Sequence, residues 1–466
     1  MKAYLLILFL MLAADMSKAQ DGAFSKSLSE QLALGTKELK LNFPASVKRF
    51  YHQNGLQAVW IKPQNTLGKT WQAMLILDCV LQFGLAPADY HPSELSYEKL
   101  HQILENPGEV DTDVEVRFEV LLTDAVISLM NNLHYGRLNP DYSASRLDRG
   151  TSIPMLAETK LQEALKANDF METILGVQPK NKLYSDLQEY MRLVKGQYAG
   201  DCYEIPEADI RLMAINMERL RWANIGDVPF LHVNIPSYTL YLQEPDSVYT
   251  FRVIVGSPER PTPSLQSSVS YFSTAPNWMV PSAIFVKELL PKALKRSTFF
   301  KNNGYVVYNK SGKIVEISPA KLQEIKKSSL SYSLVQTSGP GNAMGALVFR
   351  FPNRFNVFLH DTPNKQLFQK DFRALSHGCV RVQEATNLAS LLLKYDGSSD
   401  QTALMLRSAS DFSKFDFKLK KPVPLKITYI TCTVNNGLLE RYKDIYHLDN
   451  DLEQRLYHIK PQGSSK

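Results

Sequence analysis

The chain has 466 residues, more than a single compact core usually holds, so we expect two or more domains. Apolar residues make up 44% and charged residues 21%, which is typical of a globular protein and excludes a disordered chain. The formal net charge of +6 is spread without a long Lys/Arg block, which disfavours nucleic-acid binding and suits a polyanionic surface.

The N-terminus predicts export. Lys2 precedes an apolar run over residues 3–14, and small residues at Ser17 and Ala19 fit a signal-peptidase site. Residues 1–19 are therefore predicted to be a cleaved signal peptide, with a retained membrane anchor as the alternative. No later stretch is long and apolar enough to cross a bilayer, so we expect an exported protein without a stable membrane span after cleavage.

The first half of the chain predicts a helical domain over residues 20–205. Its apolar residues recur at the spacing of one helix face. The segments with this spacing are residues 46–53, 71–83, 114–130, 156–165 and 183–194, separated by turns rich in Pro and Gly. A further helix, residues 207–222, leads out of this half.

The second half predicts a β-rich domain over residues 206–450, followed by a tail at 451–466. Strand-like segments cover residues 230–242, 248–255, 305–308, 332–336, 346–351, 356–359 and 426–434, and residues 384–393 have helical spacing. The fold class is therefore α+β. Residues 281–339 look like an irregular insertion between strands with a hairpin at 305–315, and we expect this insertion to act as a lid.

The four cysteines are too few for a disulfide framework. Cys79 and Cys432 lie in apolar runs and are expected to be packed, while Cys202 follows a loop-like segment. A Cys202–Cys432 disulfide has no positive support from the sequence and stays open. Cys379 differs from the other three, since its neighbours are polar or glycine.

The residues around Cys379 suit thiol chemistry. His360 and His377 both lie within twenty residues of it, and either could accept the thiol proton. Gly378 allows the backbone to approach a substrate, and the N–H groups near Gly378 and Cys379 could form an oxyanion site. We expect Arg381 and a nearby helix N-terminus to lower the pKa of the thiol.

Two other interpretations compete with a nucleophile. His360, His377 and Cys379 could together bind zinc, but the chain has no second paired Cys or His motif and no His-Glu-x-x-His. Alternatively, Cys379 could be an inert packed residue. The glycine and histidine beside it favour the nucleophile.

These residues carry a family resemblance. His360, a spacer over residues 361–375 and Ser376-His377-Gly378-Cys379 resemble the signature of the YkuD-type L,D-transpeptidases. The continuation Cys-Val-Arg is similar to the large Gram-negative, YcbB-like branch, which has a helical scaffold domain. Further similarity lies at residues 51–60, 84–90, 253–263, 277–281, 339–345 and 351–353.

The resemblance implies a role for each matching residue. Cys379 would be the acylated nucleophile and His360 the general base, with the carbonyl of Asp361 orienting the ring. His377 and Gly378 would shape the oxyanion site. The residues expected at the substrate are Arg381, Ser376, Asn342 and Trp278.

The resemblance also implies a reaction and a compartment. A periplasmic enzyme would take a tetrapeptide stem of peptidoglycan as acyl donor and form a 3→3 cross-link without metal or organic cofactor. Carbapenems would be inhibitors. Water as acceptor would give an L,D-carboxypeptidase, and an outer-membrane lipoprotein as acceptor would give a ligase. A non-catalytic wall-binding protein is the alternative from another class.

Overall fold

The computed structural model describes residues 22–33, 39–61, 67–105, 109–195, 207–223 and 229–459. The predicted signal peptide and Cys202 lie outside these residues, while Cys432 is a buried free thiol. None of the helices in the described part of the chain has the length and apolar character needed to cross a membrane.

Chain contacts define two compact units. Of the described residues, those up to 223 form the first unit together with 431–441 and 447–459, and those from 229 to 430 form the second together with 442–446. The domain bounds at 20–205 and 206–450 were read from changes in sequence pattern, and they stay predictions.

The first unit is largely helical. Its helices include Pro44–Gln53, Leu67–Asp78, Tyr97–Glu105, Thr112–Tyr135, Ala144–Arg149, Ala157–Lys166, Phe170–Leu175, Lys182–Lys195, Ala208–Ala223 and Asp449–Leu456. Thr112–Tyr135 is the central one, because nearly all of its residues are buried and only a buried helix is apolar on so many sides. Asp111 starts this helix by accepting a hydrogen bond from the Asp113 N–H.

Two details of this unit differ from the sequence prediction. The helix predicted at 71–83 ends at Asp78, and a 3₁₀ turn Val80–Phe83 follows, so Cys79 lies at the break and is only partly buried. The predicted tail includes the end of the helix Asp449–Leu456. Asp449 holds that helix on Ala208–Ala223 through a 2.5 Å ion pair with Arg219.

The second unit is built on a closed sheet. Its strands are β1 (Phe230–Asn234), β2 (Thr239–Gln243), β3 (Val248–Gly256), β4 (Leu265–Thr274), β5 (Trp278–Val280), β6 (Tyr305–Asn309), β7 (Ile314–Val315), β8 (Tyr332–Gln336), β9 (Leu347–Arg350), β10 (Leu359–His360), β11 (Ala374–Ser376), β12 (Val380–Val382) and β13 (Asp416–Thr428). The main sheet has the order β11-β3-β12-β10-β9-β4-β13-β1-β2, and pairing of β2 with β3 closes it into a ring.

The core of this unit fills one face of the sheet. Phe272 of β4 stacks on Phe417 of β13 with ring centroids 5.1 Å apart. The helix Ala385–Tyr395 packs its apolar side into the same core, as its helical spacing predicted. The predicted α+β class, with a helical N-terminal region before a β-rich one, is confirmed.

Three segments were predicted wrongly. The single strand at 230–242 is two strands, because the chain turns at residues 235–238, where Tyr238 has φ +54°. The single strand at 426–434 is likewise interrupted, between β13 and the first-unit strand Cys432–Asn435. The insertion at 281–339 is not irregular. It contributes β6, β7 and β8 to a four-stranded sheet with a hydrophobic core of its own, and its 305–315 hairpin is confirmed.

Candidate active site

The pairing of β10 with β12 brings the two sequence-predicted reactive residues together. The strands are parallel, and His360 is the register partner of Arg381. Cys379 immediately precedes β12, where the Val380 N–H donates to the Phe358 carbonyl at 3.0 Å. Leu359 and Val380 point into the core, so alternation directs His360, Cys379 and Arg381 to the opposite face.

The ring of His360 is held by the backbone. Its Nδ1 lies 2.5 Å from the carbonyl oxygen of Asp361. A carbonyl can only accept, so Nδ1 carries the proton and Nε2 is left as the basic nitrogen. The Asp361 carboxylate is itself fixed, because it accepts the Ala346 N–H at 2.9 Å and pairs with Lys365. The structure thus contains the carbonyl contact that the resemblance implied.

The thiol lies against the loop before β10. Cys379 Sγ is 3.9 Å from the carbonyl oxygen of Asn356, to which it can donate a weak hydrogen bond. Asn353 shapes this loop, since its side-chain oxygen accepts the N–H groups of Phe355 and Val357 at 3.0 Å each. The thiol therefore has a loop of fixed conformation on one side.

Burial keeps both reactive groups neutral. It raises the pKa of the Cys379 thiol above its ordinary value, although the backbone of Phe358 and the charge of Arg381 oppose that shift. Burial also lowers the pKa of His360 to about 4, and Arg381 acts in the same direction. At neutral pH the pair is a thiol and an uncharged imidazole, not a thiolate and an imidazolium.

The expected lowering of the thiol pKa is therefore wrong in net direction. Arg381 does favour the thiolate, but desolvation outweighs it. The helix N-terminus was expected to help as well. The helix Ala385–Tyr395 packs into the core on the side of Val380 and Val382, whereas Cys379 precedes β12 on the other face. The helix dipole acts only over about one turn at the helix end.

The Ser376–Cys379 turn has one backbone donor already engaged. The Gly378 N–H donates to Ser376 Oγ at 3.1 Å, and that hydroxyl donates to the Cys379 carbonyl at 2.5 Å. Ser376 is 4% exposed, so its position favours holding the turn over the predicted substrate contact. Gly378 has φ +113°, a conformation that requires glycine, while a Cβ there would meet only ordinary contacts.

His377 lies on the solvent side of this turn. Its side chain is 39% exposed, and its Nε2 is 2.9 Å from the carboxylate of Glu288. Glu288 also pairs with Arg260 at 2.8 Å. Of the two histidines that could have served as base, His360 is the buried one beside the thiol's strand, and His377 connects the turn to the insertion.

Comparison with known proteins agrees with this geometry. Residues 229–401 match the L,D-transpeptidase catalytic domain, and residues 45–191 match the Scaffold domain. The chain contains a scaffold domain followed in sequence by an L,D-transpeptidase catalytic domain. The resemblance to YkuD-type L,D-transpeptidases with a scaffold is thereby confirmed.

A curated relative gives the same family. A Haemophilus influenzae protein that is provisionally named an L,D-transpeptidase is 33% identical over 246 residues, which is 52% of this chain and 48% of the relative. The chain thus spans about half the length of the curated relative that it matches.

Asn342 and Trp278, two further residues predicted to contact the substrate, both make contacts within the protein. Asn342 is 1% exposed. Its amide donates to the carbonyls of Gln336 and Thr337, and its oxygen accepts the Met344 N–H at 2.8 Å, which favours a role in holding the loop. The side chain of Trp278 is partly buried and packs against the core of the insertion.

Arg381 is the predicted substrate residue whose surroundings fit that role best. Its Nε is buried, and no hydrogen-bond partner for it occurs among the described residues. A buried guanidinium N–H without a partner is costly unless a ligand supplies an acceptor.

The zinc alternative has no geometric support. In the described part of the chain, no three His, Cys, Asp or Glu side chains are grouped so that they could hold a metal ion. His360 is buried with Nδ1 on a carbonyl, whereas His377 faces outward to Glu288.

Sequence reasoning missed several residues that shape the L,D-transpeptidase site. Asn353 lies in the segment 351–353 that carries part of the family resemblance, but the sequence assigned it no role, although an Asn before a turn is a known signal for side-chain bonds to the backbone. Glu288 lies 89 residues from His377 in the chain, and no local pattern links the two.

A neutral thiol and imidazole predict that the reactivity of Cys379 rises with pH as its thiol ionises. Alkylation of Cys379 by iodoacetamide should increase with pH up to and beyond the ordinary thiol range near 8.5, because the thiolate is disfavoured by burial. The rate should be measured by intact mass between pH 4 and 10, with Cys379→Ala to subtract the other thiols. A plateau of high reactivity across pH 5–8 would instead show a thiolate–imidazolium pair.

Proposed function

We propose that the protein forms 3→3 cross-links between peptidoglycan stem peptides through a thioester on Cys379. One observation carries the proposal. A thiol and an imidazole whose Nδ1 is held by a backbone carbonyl project from the same face of adjacent parallel chain segments, within a domain of the L,D-transpeptidase family. This arrangement supports nucleophilic acyl transfer with a general base.

The first half-reaction is acylation. Cys379 Sγ attacks the carbonyl carbon of the third stem residue while its proton passes to Nε2 of His360. The C–N bond to the terminal D-alanine then breaks, and the imidazolium returns that proton to the leaving amine. Because the pKa of the thiol is raised and that of His360 is about 4, a free thiolate is unfavourable, so proton transfer accompanies attack.

The second half-reaction is transfer. The side-chain amine of a neighbouring stem attacks the thioester carbonyl and gives a proton to His360. The C–S bond then breaks as the new amide forms, and His360 passes that proton to the departing sulfur of Cys379. Water in the same position would release a tripeptide stem, and a lipoprotein lysine would attach that protein to the wall. All three acceptors use the same acyl-enzyme, so the identity of the acceptor is decided by experiment.

Arg381 is proposed to hold the donor. Its buried Nε, which has no hydrogen-bond partner among the described residues, lies on the strand that follows the nucleophile and has the polarity to bind an oxygen of the stem. Such a contact would satisfy the guanidinium and orient the donor next to Sγ.

The insertion at 281–339 is proposed to act as a lid over the stem peptide. Glu288 connects it to the nucleophile turn through His377 and to Arg260, so the lid reaches the site. The basic residues between positions 287 and 301 are exposed, whereas Ala293 and Phe300 in the same segment form part of the insertion's core. These basic residues are Lys287, Lys292, Lys295, Arg296 and Lys301. Their charge would attract the carboxylates of the stem.

We also propose that the protein works outside the cytoplasm, in the periplasm, after removal of residues 1–19. The proposal rests on the sequence of the N-terminus and on the location of peptidoglycan.

Loss of the thiol should abolish the reaction. Cys379→Ala, and also Cys379→Ser, should reduce formation of 3→3 muropeptide dimers by about 10⁴-fold or more, because no acyl-enzyme can form efficiently. Mass spectrometry of sacculus fragments after incubation measures the product and separates dimers from hydrolysed stems. Cys79→Ala is the matched control for loss of a free thiol. Dimers made by Cys379→Ala at the wild-type rate would end the proposal.

A carbapenem should acylate the wild-type protein. Its strained carbonyl resembles the donor carbonyl, so intact mass should increase by one carbapenem and a peptide map should locate it on Cys379. Iodoacetamide labelling of the same sample is the control for thiol access. A sample in which Cys379 is alkylated but takes up no carbapenem would count against an acyl-donor pocket here.

The lid can be tested by charge without damaging its core. Lys292→Gln with Lys295→Gln should lower kcat/KM for stem peptides by roughly three- to tenfold at low salt, since opposite charge speeds encounter. The difference should shrink in 0.5 M salt. Lys326→Gln with Lys327→Gln removes the same charge from another exposed part of the lid. Equal losses in both double variants would leave only a net-charge effect and contradict the lid.

A further inference from the structure

A buried threonine lies behind the nucleophile turn. Thr262 is 2% exposed, and its hydroxyl makes two backbone hydrogen bonds. Oγ1 donates to the Gly378 carbonyl at 2.8 Å and accepts the Gly256 N–H at 2.8 Å. One side chain thus joins the end of β3 to the turn that carries Cys379.

Tyr446 completes this link. Its hydroxyl donates to the Gly256 carbonyl at 2.6 Å and accepts the Thr262 N–H at 3.2 Å. Its ring stacks on Tyr429 with centroids 5.4 Å apart. Gly256 is tightly enclosed, since a Cβ there would lie 2.1 Å from the Arg260 carbonyl oxygen. Thr262 is therefore also held by the partly buried Tyr446 and has little freedom to move.

The bond to Gly378 determines where the Cys379 N–H points. The Gly378 carbonyl and the Cys379 N–H belong to one planar trans peptide, in which the two groups point in opposite directions. With the carbonyl held by Thr262, the Cys379 N–H is directed away from Thr262. The neighbouring Gly378 N–H is taken by Ser376. Among the described residues, no acceptor is paired with the Cys379 N–H.

We propose that Thr262 is a positioning residue for the oxyanion site. By fixing the Gly378 carbonyl, it aims the Cys379 N–H at the oxygen that becomes negative when Sγ attacks an acyl carbon. The inference rests on the proposed acyl transfer at Cys379 and adds the residue that preorganises its donor. Donors fixed in advance stabilise the transition state because they need no reorganisation during the reaction.

The test compares two reactions of the same thiol in the full chain. Acetylation by p-nitrophenyl acetate develops an oxyanion, whereas alkylation by iodoacetamide does not. Thr262→Val keeps the shape but loses both hydroxyl bonds, and we expect it to slow acetylation of Cys379 by about 10- to 100-fold. Alkylation should change less than about threefold, and Thr262→Ser should restore most of the acetylation rate.

Thr274→Val is a closely matched control. Thr274 is also buried, and its hydroxyl likewise joins two backbone groups, donating to the Ser413 carbonyl at 2.7 Å and accepting the Phe415 N–H at 3.0 Å. It should lose similar stability in thermal unfolding yet keep the wild-type ratio of acetylation to alkylation. Peptide mapping assigns both products to Cys379.

The following outcomes of the ester and alkylation assays would overturn the inference. Wild-type acetylation in Thr262→Val would show that the hydroxyl does not aim the donor. Equal loss of acetylation and alkylation, or the same change of ratio in Thr274→Val, would show general damage. A wild-type thiol that is alkylated but never acetylated would exclude an oxyanion site here. Failure to cross-link stems while the ester assay behaves as expected would instead count against the proposed function alone.

Discussion

The parallel hydrogen bonding of β10 with β12 is the constraint on which the site depends. It sets His360 beside Arg381 and puts Cys379 at the start of the neighbouring strand, although a 15-residue spacer, residues 361–375, separates the motif's histidine from its Ser-His-Gly-Cys. A shift of one residue in this register would turn His360 into the core and Leu359 outward. The apolar core on the other face opposes such a shift, because Leu359, Val380 and Val382 are fully buried there.

The same burial that fixes the site also favours the neutral forms of its two reactive groups. A protonated thiol and an uncharged imidazole are the stable forms near pH 7, since desolvation disfavours both ions. In the proposed acyl transfer, reaction would depend on a carbonyl close enough for proton transfer and bond formation to occur together. The backbone contact of His360 with Asp361 and the fixed peptide of Gly378 prepare the two groups for that step.

Much of this organisation could be predicted from the sequence, for physical reasons. Helical spacing predicted the main helices of the first unit, and the His360 and Cys379 motif predicted the two groups that β10 and β12 bring together. Local patterns failed where distant contacts decide the outcome. Tyr238 turns the chain inside a run of alternating apolar residues. The insertion has a hydrophobic core that could not be predicted from its polar, basic sequence.

Electrostatics was the hardest part to predict. Arg381 suggested a lowered thiol pKa, and it does act in that direction, but the depth of Cys379 is set by the whole fold and reverses the result. Thr262 and Tyr446 show the same limit. Thr262 meets Gly378 across 116 residues of chain and Tyr446 meets Gly256 across 190, and no spacing rule connects such positions.

The central claim is that Cys379 carries the acyl group of the donor stem. It is tested most directly by mixing the protein with a tetrapeptide stem, quenching in acid within seconds, and measuring intact mass and peptide masses. The account predicts a protein heavier by the tripeptide acyl group, attached to the Cys379 peptide, released by hydroxylamine and absent from Cys379→Ala. Release of D-alanine from the stem with no adduct on Cys379, or with the same release from Cys379→Ala, would contradict it.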